Sequence, residues 1–224
     1  LPSRLAPPLF LATPPHAPLA EPKPGRKSFT TNDQFHAALG RESDTFTPLT
    51  LASDMAMYQY TSGTTRLLPD AIKHRHRAVV TVMIAALYGT GIRPGDRFMC
   101  PSSPAWGHGL WHGTLAPLAL GVTTATYAGK FDAGRLTQAL SDYRITNLSA
   151  AATHSRMMRM DTLAEAQINI SIPKLTFTGE PIDSDTASWA ADTFGSPVCS
   201  MDGTTEVGVI LVNYPGASDF EARP

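Results

Sequence analysis

Two hydrophobic periods alternate along this chain, and the points where one gives way to the other divide it into elements. From Asp132 to Tyr143 apolar side chains recur at Leu136, Ala139, Leu140 and Tyr143, the spacing of one helical face, and Asp132 stands where a helix cap is needed. Helical spacing is also read over His76 to Tyr88, the second half of Trp106 to Leu120, Thr153 to Met160 and Asp183 to Phe194. Between these lie short apolar or threonine-rich runs suited to strands: Met57 to Thr61, Arg97 to Pro101, Val122 to Tyr127, Thr146 to Ala151, Lys174 to Thr178 and Pro197 to Met201. Gly89, Gly91, Pro94 and Gly95 punctuate the exit from the first helix. Strands that alternate with helices need crossover connections, so the pattern predicts an α/β fold with a largely parallel sheet flanked by helices. Ligands in such sheets sit beyond the carboxyl ends of strands, which directs attention to three loops that follow strands: Thr61 to Asp70, Gly179 to Pro181 and Asp202 to Glu206.

The first part of the chain lacks this regularity. Eight prolines fall between Pro2 and Pro24 and favour extended or irregular backbone. Leu9 to Ala12 reads as a lone strand, and Asn32 to Leu39 as a short helix with Thr31 as a cap. The expected organisation is a proline-rich segment over residues 1–53 and an α/β domain over residues 54–224. The chain opens on Leu1 and closes without a terminating element, which reads as an internal piece of a longer protein.

Composition removes several classes of function. In 224 residues, 42% are hydrophobic and 17% charged, with a formal net charge of -1, which describes a globular chain without the basic footprint of a nucleic-acid binder. Ala78 to Tyr88 is too short to cross a bilayer, so no membrane span is expected, and Pro7 and Pro8 break the apolar core of any signal peptide. The two cysteines, Cys100 and Cys199, sit in separate strand-like runs and fit reduced thiols of a cytoplasmic protein.

The chemistry concentrates in Tyr60-Thr61-Ser62-Gly63-Thr64-Thr65-Arg66-Leu67-Leu68-Pro69-Asp70. Its hydroxyls, its glycine and its backbone N–H groups suit a phosphate, and a helix expected directly behind it would add a favourable dipole. The same composition also suits an ordinary strand-to-helix turn in which Ser62 or Thr64 caps the backbone. His108 and His112 have the i, i+4 spacing of a helical metal pair, yet Gly109, Leu110 and Trp111 between them offer no acidic base for a zinc hydrolase. The cluster Lys73 to Arg77 reads as a solvated helix start or a secondary contact to phosphate.

Taken together, the loops resemble those of the adenylate-forming superfamily, the AMP-forming acyl-CoA synthetases and their relatives, over roughly residues 54–216. Tyr60 to Thr65 resembles the phosphate-binding loop, Gly179-Glu180-Pro181 the adenine-side loop, and Asp202-Gly203-Thr204-Thr205-Glu206 the aromatic-Gly-x-Thr-Glu motif. Pro101 to Trp111 is similar to the tryptophan-containing acyl pocket of the acetyl and medium-chain enzymes. The resemblance implies the central part of the large N-terminal domain of an acid-thiol ligase. It implies ATP, Mg²⁺ and CoA as cofactor and co-substrates, a small carboxylic acid as partner, and a lysine-bearing C-terminal domain carried elsewhere in the full-length chain. Thr61, Ser62, Gly63, Thr64 and Thr65 would hold the leaving phosphates; Gly179, Glu180, Pro181, Asp202, Gly203 and Thr204 the nucleotide; Thr205 the α-phosphate; and Glu206 the metal. Trp106, Gly107 and Trp111 would line the acyl pocket, with core packing the other role open to the two tryptophans. The match departs at Arg66 and Pro69-Asp70, where the family carries glycine and a Pro-Lys pair, and at Asp202, where it usually carries an aromatic ring. Those departures keep open a second expectation, a truncated or degenerate non-catalytic fragment that binds nucleotide weakly or serves in interactions. By itself the 224-residue chain is expected to have little or no ligase activity.

Overall fold

The computed structural model describes residues 9–12, 27–30, 32–60, 71–127, 129–161 and 170–214, with backbone alone for the first two stretches. The chain falls into two compact units, Leu1–Thr50 and Leu51–Pro224. In the first, strand β1 (Leu9–Ala12) is not alone: it pairs in parallel with β2 (Lys27–Thr30). Helix α1 (Asp33–Leu39) follows, and its cap is Asn32, whose side chain accepts the Phe35 N–H at 3.0 Å. Thr31, the expected cap, lies outside the described residues.

The second unit opens with a hairpin. Strand β3 (Met55–Tyr60) pairs antiparallel with β4 (Ala71–Arg75), so that Tyr60 stands opposite Ala71 and the intervening ten residues connect the two strands. This corrects the expected strand-loop-helix order: a strand separates the loop from helix α2 (Ala78–Ala85), so no helix dipole stands directly behind the loop. The charge run conceals a period of two, with Ile72 and His74 half-buried between exposed Lys73 and Arg75. Helix α2 continues as a wider π-helical turn over Ala86–Thr90.

A six-stranded sheet forms the body, in the order β10-β9-β8-β7-β5-β6. Strands β5 (Arg97–Cys100), β6 (Thr123–Thr126), β7 (Asn147–Ala151), β8 (Lys174–Thr178) and β9 (Val198–Thr204) are parallel, as expected from the alternating pattern. Strand β10 (Gly208–Val212), which sequence reading did not anticipate, adds an antiparallel edge. Between β5 and β6 the chain is helical from His108, first as a π-helix to Leu115 and then as α3 (Ala116–Ala119), earlier than the spacing suggested. Helices α4 (Ala133–Asp142), α5 (Ala152–Met160) and α6 (Ser184–Phe194) link the later strands. Asp132 caps α4 as the sequence predicts, accepting the Arg135 N–H at 2.7 Å.

Alternation along β5 shows how the sheet is sandwiched. Phe98 and Cys100 pack with Ala86, Ile92, Ala116 and Val122, while Met99 between them joins the core built on Leu136, Leu140, Met158, Phe177 and Phe194. Helices therefore cover both faces. On β7, Leu148 and Ala150 point into the larger core, leaving the fully buried Asn147 and Ser149 on the opposite side.

Candidate functional site

Strand order sets the place of the site. Chain order runs from β5 outward to β6 and then back to β7 on the other side of β5, so the connections leave β5 and β7 in opposite directions and open a crevice between their carboxyl ends. A cavity of about 350 Å³ lies there, lined by Ser102 and Ser103 after β5, Ala151 at the end of β7, Thr153 and His154 in the first turn of α5, and Gly179 and Glu180 after β8, with Trp106 across them. The Trp106 ring, 42% exposed, lies against Gly179: a β-carbon on that glycine would meet the indole Cη2 at 2.7 Å. Gly179 also has φ of +90°, so both its neighbour and its backbone require glycine.

Charge around the cavity is internally balanced. The Thr153 hydroxyl donates to Glu180 Oε1, and Arg156 sits 3.1 Å from the same carboxylate. These partners, Thr153 first, hold the Glu180 carboxyl below its usual range. Arg156 also donates to the Pro181 carbonyl at 2.6 Å and to Asp183 at 2.8 Å, and Asp183 in turn caps α6 through the Thr186 N–H. The Pro181 carbonyl thus anchors the loop that follows β8. His154 stacks on Phe131 at 4.8 Å, and its Nδ1 accepts the Ala151 N–H at 3.3 Å. Burial lowers the His154 pKa, with Glu180 pulling the other way, so its ring is neutral near pH 7. Beneath the cavity, His108 is buried between two hydroxyls, Ser102 Oγ at 3.0 Å from Nδ1 and Ser149 Oγ at 2.8 Å from Nε2. Among the described lining residues the charged group is the Glu180 carboxylate, already engaged by Thr153 and Arg156, and the serine and threonine hydroxyls beside it offer hydrogen bonds to a ligand.

The structure brings Trp106, Gly179 and Glu180 together and keeps other expected residues away from this lining. Trp111 is buried, its indole N–H donating to Gln59 Oε1 at 3.0 Å and its ring meeting His74 edge-on at 4.8 Å. Gly107 accommodates the same Gln59, whose amide nitrogen would lie 2.8 Å from an added β-carbon. Both residues therefore fasten the β3–β4 hairpin. Asp202, Gly203 and Thr204 belong to β9, opposite Leu211, Val209 and Gly208, instead of forming a loop, and Thr205 and Glu206 make the turn into β10. Gly203 lets β10 approach, since a β-carbon there would fall 2.1 Å from the Gly208 carbonyl oxygen. Thr61, Ser62, Gly63, Thr64 and Thr65, with Arg66, Pro69 and Asp70, lie outside the described residues.

A sequence profile of the AMP-binding enzyme family matches residues 14–224. The chain belongs to the AMP-binding enzyme family. Acetyl-coenzyme A synthetase of Cryptosporidium parvum is 30% identical over 183 residues, covering 77% of this chain and 26% of its own length. The 3-hydroxybenzoate/4-hydroxybenzoate CoA ligase of Thauera aromatica is 30% identical over 165 residues, covering 73% of this chain and 31% of its own. The chain thus spans about a quarter to a third of the relatives' length. A Brucella canis acyl-CoA synthetase has the same fold, with a TM-score of 0.77 at 23% identity over 96% of this chain and 41% of that one. In this AMP-binding chain the sequence singled out the segment that holds Ser102 and Ser103 but not these two residues, and it gave no sign of Ala151, Thr153 and His154. The position of the last three at the end of β7 and the start of α5, where strand order reverses, is the signal that could have found them.

Proposed function

We propose that the protein containing this chain is an AMP-forming acyl-CoA ligase. A carboxylate attacks the α-phosphorus of ATP to give an acyl-adenylate and pyrophosphate, and the CoA thiol then takes the acyl group and releases AMP. The observation that carries the reading is the contact between Trp106 and Gly179, which makes one wall of the acyl-side segment and the adenine-side loop, as a ligand with acyl group and base joined through one phosphate requires. Trp106 offers an apolar face to the acyl group, and backbone groups of Gly179 and Glu180 face the base, with Pro181 holding the loop through its bond to Arg156. The names of the relatives support a small carboxylic acid as substrate.

In this reading Thr61 to Thr65 donate to the leaving phosphates and Thr205 to the α-phosphate. Glu206, exposed in the β9–β10 turn, is a single hard oxygen donor, and among the described residues no group of three metal-binding side chains accompanies it. That donor set fits Mg²⁺, which is held by one or two carboxylates together with substrate phosphates. Held there by Glu206, such an ion would neutralise charge on the phosphates. One observation favours a nucleotide-binding fragment without catalysis: Asp202 is exposed at the edge of β9, a negative group beside the expected base.

Calorimetric titration with ATP and Mg²⁺ tests the reading on the 224-residue chain and on Asp202→Tyr. Saturable binding that tightens in the variant supports a nucleotide site bordered by β9. Absence of binding in both chains, with folding intact by circular dichroism, refutes it.

A further inference from the structure

A buried relay beneath the cavity has no part in the reading above. The His108 ring, 7% exposed, faces a serine hydroxyl from each nitrogen. Burial first, then His112 and His154, pull its pKa down to about 3, so the ring is neutral. A neutral imidazole has one donor nitrogen and one acceptor nitrogen, so one serine gives it a proton and the other receives one.

Ser149 decides the direction. It is fully buried on β7, and among the described residues the partner of its hydroxyl is His108 Nε2. A proton on Nε2 would leave the Ser149 O–H buried without an acceptor, the costly arrangement for a polar group. Ser149 therefore donates to Nε2, the ring proton sits on Nδ1, and Nδ1–H donates to Ser102 Oγ. Ser102 keeps its own O–H to give: its hydroxyl contacts the Cys100 sulfur, the competing acceptor inside the protein, and Ser102 lines the cavity, where a ligand oxygen is the stronger one. The neighbouring Cys100 sulfur, 3.7 Å from Nδ1, is a protonated thiol, its pKa pushed up to about 11 by burial, and a thiol sulfur is a weak acceptor.

We propose that Ser102 is a specificity-determining residue that donates a hydrogen bond into the cavity, with His108 as its positioning residue, so that the preferred acid carries a hydroxyl or carbonyl oxygen on its acyl chain. This rests on the ligase reading and adds the substrate class to it. Ser149 fixes the tautomer of His108, and His108 fixes the direction in which the Ser102 O–H points.

The test uses two sulfamoyl analogues of the acyl-adenylate, 3-hydroxybutanoyl and 3-methylbutanoyl, which exchange a hydroxyl for a methyl group of similar size. Calorimetry on the 224-residue chain should show the hydroxy analogue bound about tenfold more tightly, the worth of one hydrogen bond. Ser102→Ala should bring the ratio to about one while binding of the methyl analogue stays within about twofold. Ser149→Ala should reduce the ratio without touching the cavity, and nitrogen NMR of the wild-type chain should show His108 as the neutral Nδ1–H tautomer. A purely structural role for the relay would move both affinities together. Equal binding of the two analogues by the wild-type chain, a preference that survives Ser102→Ala, or an Nε2–H tautomer overturns the inference and leaves the ligase reading standing. Failure of both analogues to bind overturns the ligase reading and this inference with it.

Discussion

Acidification from pH 7 to pH 5 should strip the second unit of a large part of its stability. His108 and His112 are buried, and burial draws their pKa values down to about 3 and about 4. In the unfolded chain both return to about 6.5. A histidine whose folded pKa is depressed contributes stability that is complete above the unfolded value and is lost as pH falls toward the folded one. At pH 5 both folded values lie below the solution pH, so the loss per residue is set by the 1.5 pH units below 6.5, about 2 kcal/mol at 1.36 kcal/mol per unit. The pair together lose about 4 kcal/mol, against a total of ~5–15 kcal/mol for a typical domain. His74 and His154, also lowered by burial, act in the same direction. The lowered carboxyls of Glu180 and Asp183 add to the loss only in the more acid window below their ordinary values of 4.5 and 3.8. Urea unfolding at the two pH values measures the effect: with a slope of ~1–3 kcal/mol/M, the midpoint should fall by on the order of 2 M. His112→Leu should cut the fall by about half, because one of the two buried titrations is gone. An unchanged midpoint, with no proton uptake on unfolding at pH 5, would refute the neutral buried histidines on which the relay depends.

Two further substitutions probe the frame of the cavity. Gly179→Ala places a β-carbon 2.7 Å from the Trp106 ring on backbone at φ +90°, and should cost ~1–3 kcal/mol while increasing the exposure of the Trp106 fluorescence; unchanged stability and emission would show that the ring does not rest on this glycine. Asp96→Ala removes the carboxylate that holds Lys174 at 2.7 Å and accepts the Arg93 N–H at 2.8 Å, leaving a half-buried ammonium without its counter-charge; a loss of ~3–5 kcal/mol is expected, lowering the melting temperature by roughly 10 °C, and a melting temperature unmoved by the change would count against the ion pair.

Helix α4 was legible because its information is local: an amphipathic stripe and the Asp132 cap lie within one short stretch. The parallel order of β5 to β9 followed from the same alternation. Strand β4 was hidden because its inward residues include His74, whose burial depends on Trp111 reached through the tertiary fold, and a run of basic residues gives no hydrophobic sign of that. Strand β10 was missed for a related reason, as Gly203 and the turn at Thr205 and Glu206 acquire meaning only when β10 closes on β9. Trp106 and Trp111 sit on one short segment with similar chemistry, yet one faces the cavity and the other is buried against Gln59, a distinction set by where the hairpin packs. Ala151, Thr153 and His154 carry no motif, and strand order alone places them at the site.

The proposed ligase reading places an adenine nucleotide along the loop after β8 and the end of β9. Photolabelling with 8-azido-ATP and Mg²⁺, followed by peptide mapping, tests it most directly. Label is expected on peptides containing Gly179 to Pro181 or Asp202 to Glu206, abolished by excess ATP. Label that ATP does not displace, or that falls on the helices remote from these strand ends, would contradict it.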